Sequence, residues 1–203
     1  MQSENRGLMP SILTLAALLL ITGCMTSSPA VQYYTMTPLT RDEQGPVWEN
    51  DGVLAVGPIT LPEILDRPHM VTQSGDNRLV FAETHRWAGS LQAEITRVLA
   101  DNLSILLNSD EIIAHGEEAL TPPSHRIIIN VQRFYAQANG DVVLDLLWTL
   151  REEGHEQSSV LNKSTIRLPV EYQDYAGIAA AQSAALGELS REMAAYIRRN
   201  SPL

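Results

Sequence analysis

Cys24 carries the only thiol among 203 residues, in the stretch Leu20-Ile21-Thr22-Gly23-Cys24-Met25. A lone cysteine has no partner for a disulfide within its own chain, so modification is the chemistry it invites. Other residue types that could do chemistry are present without the necessary spacing. His69, His85, His115, His125 and His155 are scattered, with no H-x3-H or HExxH pair to offer two imidazoles to one metal. Ser74-Gly75 lacks the G-x-S-x-G frame that exposes a nucleophilic serine. Gly52 and Gly57 stand alone near strand ends rather than in a phosphate-cradling loop. Glu152-Glu153 falls in a hairpin turn, where two carboxylates are solvated charge. The expectation is a protein that is not an enzyme, with no metal and no cofactor beyond a lipid attached at Cys24.

The residues before Cys24 say how it would be modified. An apolar run from about Ile12 to Ile21 covers roughly ten residues, or 15 Å as a helix, whereas a bilayer core needs about 20 residues. Such a run is the apolar part of an export signal. With Thr22 and Gly23 as the small residues ahead of the cysteine, the stretch resembles a bacterial lipobox. That resemblance implies that residues 1–23 are a signal peptide and that Cys24 becomes the acylated N-terminus. Two or more acyl chains, at about 0.8 kcal/mol per buried CH₂, hold a protein on a bilayer. Met25, rather than aspartate, resembles the outer-membrane sorting pattern, so the expected location is the periplasmic face of the outer membrane. Residues 24–32 read as a lipidated tether, and nine residues span at most about 30 Å.

Residues 33–203 are enough for one periplasmic domain that stands on its own core. A formal net charge of −10 argues against a nucleic-acid partner, whose phosphates it would repel. It argues equally against electrostatic docking on anionic lipid.

The elements that must position any working surface follow from hydrophobic period. Gln32-Tyr33-Tyr34-Thr35-Met36 reads as a first strand. Residues 40–52 are a polar loop with Gly-Pro and Asp-Gly breakers. Residues 53–62, apolar nearly throughout, predict a central strand covered on both faces. Residues 69–84 predict a hairpin around Ser74-Gly75-Asp76-Asn77, with apolar groups on both faces of a sheet edge. From about Trp87 to Leu107 the period lengthens: Leu91, Ile95, Val98, Asn102 and Leu106 predict an amphipathic helix. Residues 111–115 are a short strand, and Thr121-Pro122-Pro123-Ser124 is a break in regular structure.

Residues 126–154 carry the clearest hairpin. Ile127, Ile129 and Val131 share one face of the first arm; Val142, Leu144, Leu146, Trp148 and Leu150 share one face of the second. Asn139-Gly140 is expected to supply a primed turn. Arg133 interrupts the alternation, which predicts a bulge. A third antiparallel strand is expected over 158–170. A long Ala-rich helix should then run from about Asp174 to Arg199, with Ala179, Ala180, Ala184 and Ala185 allowing close approach to a sheet. The fold class is α/β or α+β: a mixed sheet with antiparallel hairpins packed by two main helices.

The block Leu61-Pro62-Glu63-Ile64-Leu65-Asp66-Arg67-Pro68, then Asn77-Arg78-Leu79, then Arg86-Trp87-Ala88-Gly89-Ser90-Leu91 resembles the signature of the ABC-type transport auxiliary lipoprotein family. Tyr33-Tyr34, shortly after the lipobox, fits it too. Ile64, Gln73 and Gly89-Ser90 depart from the usual tyrosine, arginine and Glu-Pro, and Ser90 becomes a candidate helix N-cap. The resemblance implies an outer-membrane accessory of a transport system containing MCE-domain proteins of the inner membrane. It would meet the distal end of the MCE tunnel and help pass phospholipid-like cargo, with a homo-oligomer as one arrangement. An adaptor or activator of other envelope machinery is the alternative. The expected partner interface comprises Arg67, Pro68, Met70, Phe81, Arg86 and Trp87. Two readings stay open there. Pro68 fixes a turn while Arg67 pairs with Asp66 or Glu63, or the corner faces a partner. Trp87 either begins the helix and packs under the sheet or anchors a contact.

Overall fold

Two hydrophobic periods share the chain, and each settles into the element that its period fits. The strands are β1 (Gln32–Tyr34), β2 (Val53–Thr60), β3 (His69–Ser74), β4 (Arg78–Trp87), β5 (Ile112–Ala114), β6 (Pro123–Ala136), β7 (Asp141–Glu152) and β8 (Asn162–Pro169). The helices are α1 (Leu91–Leu107) and α2 (Tyr175–Asn200), with a 3-10 turn at Arg41–Glu43. This computed structural model describes residues 29–49, 52–116, 121–154 and 160–200.

The alternating arms pair as their pattern demands. Antiparallel β6 and β7 set Ile127 opposite Leu150, Ile129 opposite Trp148 and Val131 opposite Leu146, so both apolar rows share one face. A register shift between Val131 and Arg133 marks the bulge. It lets Arg133 reach the buried Asp145 carboxylate, which also accepts from Thr165 Oγ1 at 2.6 Å. The turn is not the primed one. Gly140 N donates to Gln137 O at 3.0 Å, and φ is positive at Gly140 but not at Asn139, so one left-handed residue follows an ordinary turn. Asp141 N donates to Asn139 Oδ1 instead.

β6 is long enough to have two neighbours on its other edge. Its first half pairs in parallel with β2, which also pairs with β5; its end meets β3 where Thr72 faces Ala136. The sheet forks there, one branch carrying β2 and β5, the other β3, β4 and β1. Three expectations are corrected. The β3–β4 hairpin is an edge over only part of its length, because β3 joins β6 at Thr72 and β1 covers His85 to Trp87, while Arg78 to Thr84 of β4 have no second strand beside them among the described residues. Pro123-Ser124 begins β6, where a proline lacking its N–H is tolerated at a strand's first position. Trp87 ends β4 rather than opening α1, held by its N–H donating to Pro68 O at 2.8 Å.

α1 and α2 pack on the sheet and on each other. Leu91, Ile95, Val98, Leu99, Leu103 and Leu107 from α1 meet Leu186, Leu189, Met193 and Ile197 from α2 in one core, together with the β6–β7 rows. Each fully buried side chain of this size contributes about 1.5–3 kcal/mol. Ala179 and Ala185 lie against the core, whereas Ala180 and Ala184 are exposed, because helical pitch turns those two outward. The fold is thus a single mixed α/β domain with an open sheet.

Candidate functional site

The corner between β2 and β3 is built by a tight run of backbone bonds. Leu65 N and Asp66 N both donate to Pro62 O, and Arg67 N donates to Leu65 O at 2.9 Å. Leu65 is buried and pins the turn to the core, which leaves Pro68 exposed. Met70 and Trp87 are buried in the same core, so they brace the corner from beneath and do not face solvent. That corrects their place among the expected contact residues: Met70 and Trp87 belong to the core, while Val80 is exposed and Phe81 half-buried.

What the corner does present is positive charge on an aromatic base. The Arg67 guanidinium carbon stands 4.3 Å above the centroid of the half-buried Phe81 ring, a cation–π arrangement. Among the described residues Arg67 Nη2 reaches the Glu63 carbonyl, at 3.5 Å, and pairs with neither the Asp66 nor the Glu63 carboxylate. Both Arg67 Nε and Arg86 Nε are buried without a hydrogen-bond partner among the described residues. With Nε enclosed, the donors that remain for an incoming acceptor are the terminal N–H groups of the Arg67 guanidinium. Arg67, Pro68, Phe81 and Arg86 are therefore brought together, with Met70 and Trp87 as their support. Cys24 lies outside the described residues, as do residues 24–28 of the expected tether.

A second feature carried no local signal in the sequence. The segment after β1 is strapped across both helices. The Glu94 carboxylate accepts from Thr35 Oγ1 at 2.7 Å, Met36 N at 3.0 Å and Arg97 Nη2 at 3.1 Å, and Arg97 donates also to Met36 O. Burial pushes the Glu94 carboxyl up, but those three hydrogen bonds and the Arg97 charge outweigh it and hold the group below its usual range. Farther along, Leu39 N donates to Asn102 Oδ1, and the fully buried Asn102 amide donates to Ser190 Oγ on α2. Arg191 pairs with Glu43 at 2.5 Å, and Arg198 donates to the carbonyls of Pro46 and Leu106. Gly45 permits the crossing, since a Cβ there would lie 2.0 Å from Leu106 O.

The strap begins in an aromatic lock. Tyr34 Oη lies 2.8 Å from His85 Nδ1, and the His85 ring stacks on Tyr175 of α2 at 4.0 Å between centroids. Burial, then the nearby Asp174 carboxylate and Tyr175, push the Tyr34 phenol up, and the retained proton is donated to Gln32 Oε1 at 2.8 Å. The Tyr33-Tyr34 pair was the sequence signal that could have found this lock.

Among the described residues no three histidine, cysteine, aspartate or glutamate side chains gather as a ligand set. His125 packs edge-on against Trp48, and His115 accepts from Arg126 at 3.0 Å. A groove of about 430 Å³ beside α1 is lined by Ile59, Gln92, Thr96, Arg97 and His115, with no nucleophile paired to a base.

Comparison with known proteins bears on the family and the fold. Residues 34–194 match the model of a family described as the ABC-type transport auxiliary lipoprotein component. The chain is 25% identical over 143 residues to the intermembrane transport lipoprotein PqiC of Escherichia coli K12, covering 70% of this chain and 74% of that protein. The Shigella flexneri protein of the same name matches equally. Protein XCC0632 from Xanthomonas campestris shares the fold at a TM-score of 0.65 and 17% identity, over 84% of this chain and 96% of that one. A crystal structure of an uncharacterized protein does so at 0.68 and 20%, over 83% and 99%.

Proposed function

We propose a function that proceeds from the family: this chain belongs to the ABC-type transport auxiliary lipoproteins. It acts as a non-catalytic accessory held by lipid on Cys24 at the periplasmic face of the outer membrane. There it docks on the distal end of a tunnel of MCE-domain protein rooted in the inner membrane and aids transfer of phospholipid across the last gap. The relative named an intermembrane transport lipoprotein supports the transport role. Among the described residues no helix is long and apolar enough to cross a membrane, so attachment in this reading rests on the lipid.

One observation carries the docking: the family-matched corner sets Arg67 over Phe81, beside exposed Pro68, with no carboxylate to neutralise Arg67 among the described residues. Arginine and aromatic side chains dominate binding hot spots because they join large contact area to strong directional donors. Arg67→Glu keeps the backbone turn and reverses the charge. In lipidated full-length protein carrying a photo-crosslinker at position 68, the native residue 67 is expected to capture an MCE protein, and Arg67→Glu to lose most of that capture. Capture of a synthase or of lipopolysaccharide machinery instead would favour the adaptor role. Unchanged capture of the MCE protein by a folded Arg67→Glu variant would remove the corner from the interface.

A further inference from the structure

We infer that the β1 end of the domain rests against the bilayer, with Tyr33 seated at the level of the lipid headgroups. The inference rests on the lipid anchor at Cys24 and adds the face that the domain turns toward the membrane.

β1 is three residues long and runs parallel to the last three residues of β4, with Tyr33 beside Arg86. The bond from Tyr34 to His85 and the stack of His85 on Tyr175 fix its orientation. Alternation then sends Val31 and Tyr33 to the opposite face from Tyr34, away from that lock. Both are exposed, Val31 by 38% and Tyr33 by 64%. Neither side chain packs against the core. Tyr172, 67% exposed, stands three residues ahead of Tyr175 on the approach to α2, so a second open tyrosine flanks the same lock.

The occupant is argued from chain length. Tyr33 is nine residues beyond Cys24 and can be no more than about 30 Å from an acylated N-terminus. Tyrosine favours the membrane interface because its ring is apolar and its hydroxyl remains hydrated. Glu171 and Asp174 lie beside Tyr172, so the contact draws on neutral lipid and owes nothing to anionic headgroups. The opposite end of the molecule supplies an internal control. Leu161, 66% exposed, precedes Asn162, whose strand partner Trp148 sits edge-on to Tyr196 in the last turns of α2. Tyr175 and Tyr196, which mark the two ends, stand about 32 Å apart along α2.

The test uses the lipidated full chain in vesicles of phosphatidylethanolamine and phosphatidylcholine with brominated acyl chains. The native Trp48, Trp87 and Trp148 are buried and give a constant background. Tyr33→Trp should show emission at shorter wavelength and about twofold quenching by the brominated lipid, while Leu161→Trp should show neither. Floating protein in which Tyr33→Trp is unquenched, or in which Leu161→Trp is the quenched one, overturns this orientation alone. Shielding of Tyr33→Trp from a soluble quencher without quenching by lipid also overturns it, and points to protein cover. Protein that fails to float with the vesicles overturns the anchor reading and the orientation with it.

Discussion

At the scale of single residues, the most consequential group is a carboxylate that fastens distant parts of the chain. Glu94 holds Thr35, Met36 and Arg97 together, and its pKa is depressed by those bonds against the opposing push of burial. A depressed carboxyl stabilises the fold fully above its ordinary value of 4.5 and loses that contribution as pH falls through the folded value. Glu94→Gln should therefore cost about 1–3 kcal/mol at neutral pH and little once the native carboxyl is protonated. Chemical denaturation of both proteins from pH 7 downward measures this, and a difference that does not shrink as pH falls below 4.5 would contradict the assignment. Asn102 shows why such residues escape a sequence reading. It sits on the apolar stripe of α1 at i+4 from Val98, where period alone would want a hydrophobe, and only the folded chain brings Leu39 N and Ser190 Oγ to its amide.

At the scale of elements, the legible parts were those whose own side chains declare a period. The β6–β7 pairing, the bulge at Arg133 and the third antiparallel strand β8 all follow from alternation, and the two helices follow from three- and four-residue steps. Boundaries were less legible. Trp87 is apolar at the switch between periods and fits either; its bond to Pro68 O decides for the strand, and α1 starts after Ser90. Ser90 holds the N-cap position without a side-chain bond there. α2 is capped more firmly. Asp174 Oδ1 accepts from Gly177 N at 2.7 Å, satisfying a donor that the first helical turn leaves open. Asp174→Ala should cost about 1 kcal/mol in thermal or chemical unfolding, and Asp174→Asn should recover most of it. If both variants lose the same amount, the cap acts through charge and not through this bond.

At the scale of the whole molecule, the strap and the forked sheet turn a long chain into an oriented object. Thr35 to Trp48 tie the segment after β1 across α1 and α2, and β3 carries the chain toward its turn from the corner that presents Arg67. On the proposed reading, Cys24→Ala should leave the protein uncleaved or released from membranes on fractionation; an unchanged membrane fraction would refute lipidation as the anchor. The sequence by itself determined the mixed α/β class, the order of the elements and the family, because period, turn chemistry and a contiguous motif are all local properties. Tertiary structure alone decided that Met70 and Trp87 are internal, that Arg67 stacks on Phe81 and that Glu94 clasps a segment 58 residues away. Those outcomes depend on which distant groups meet once the core closes, and no spacing along the chain records such meetings.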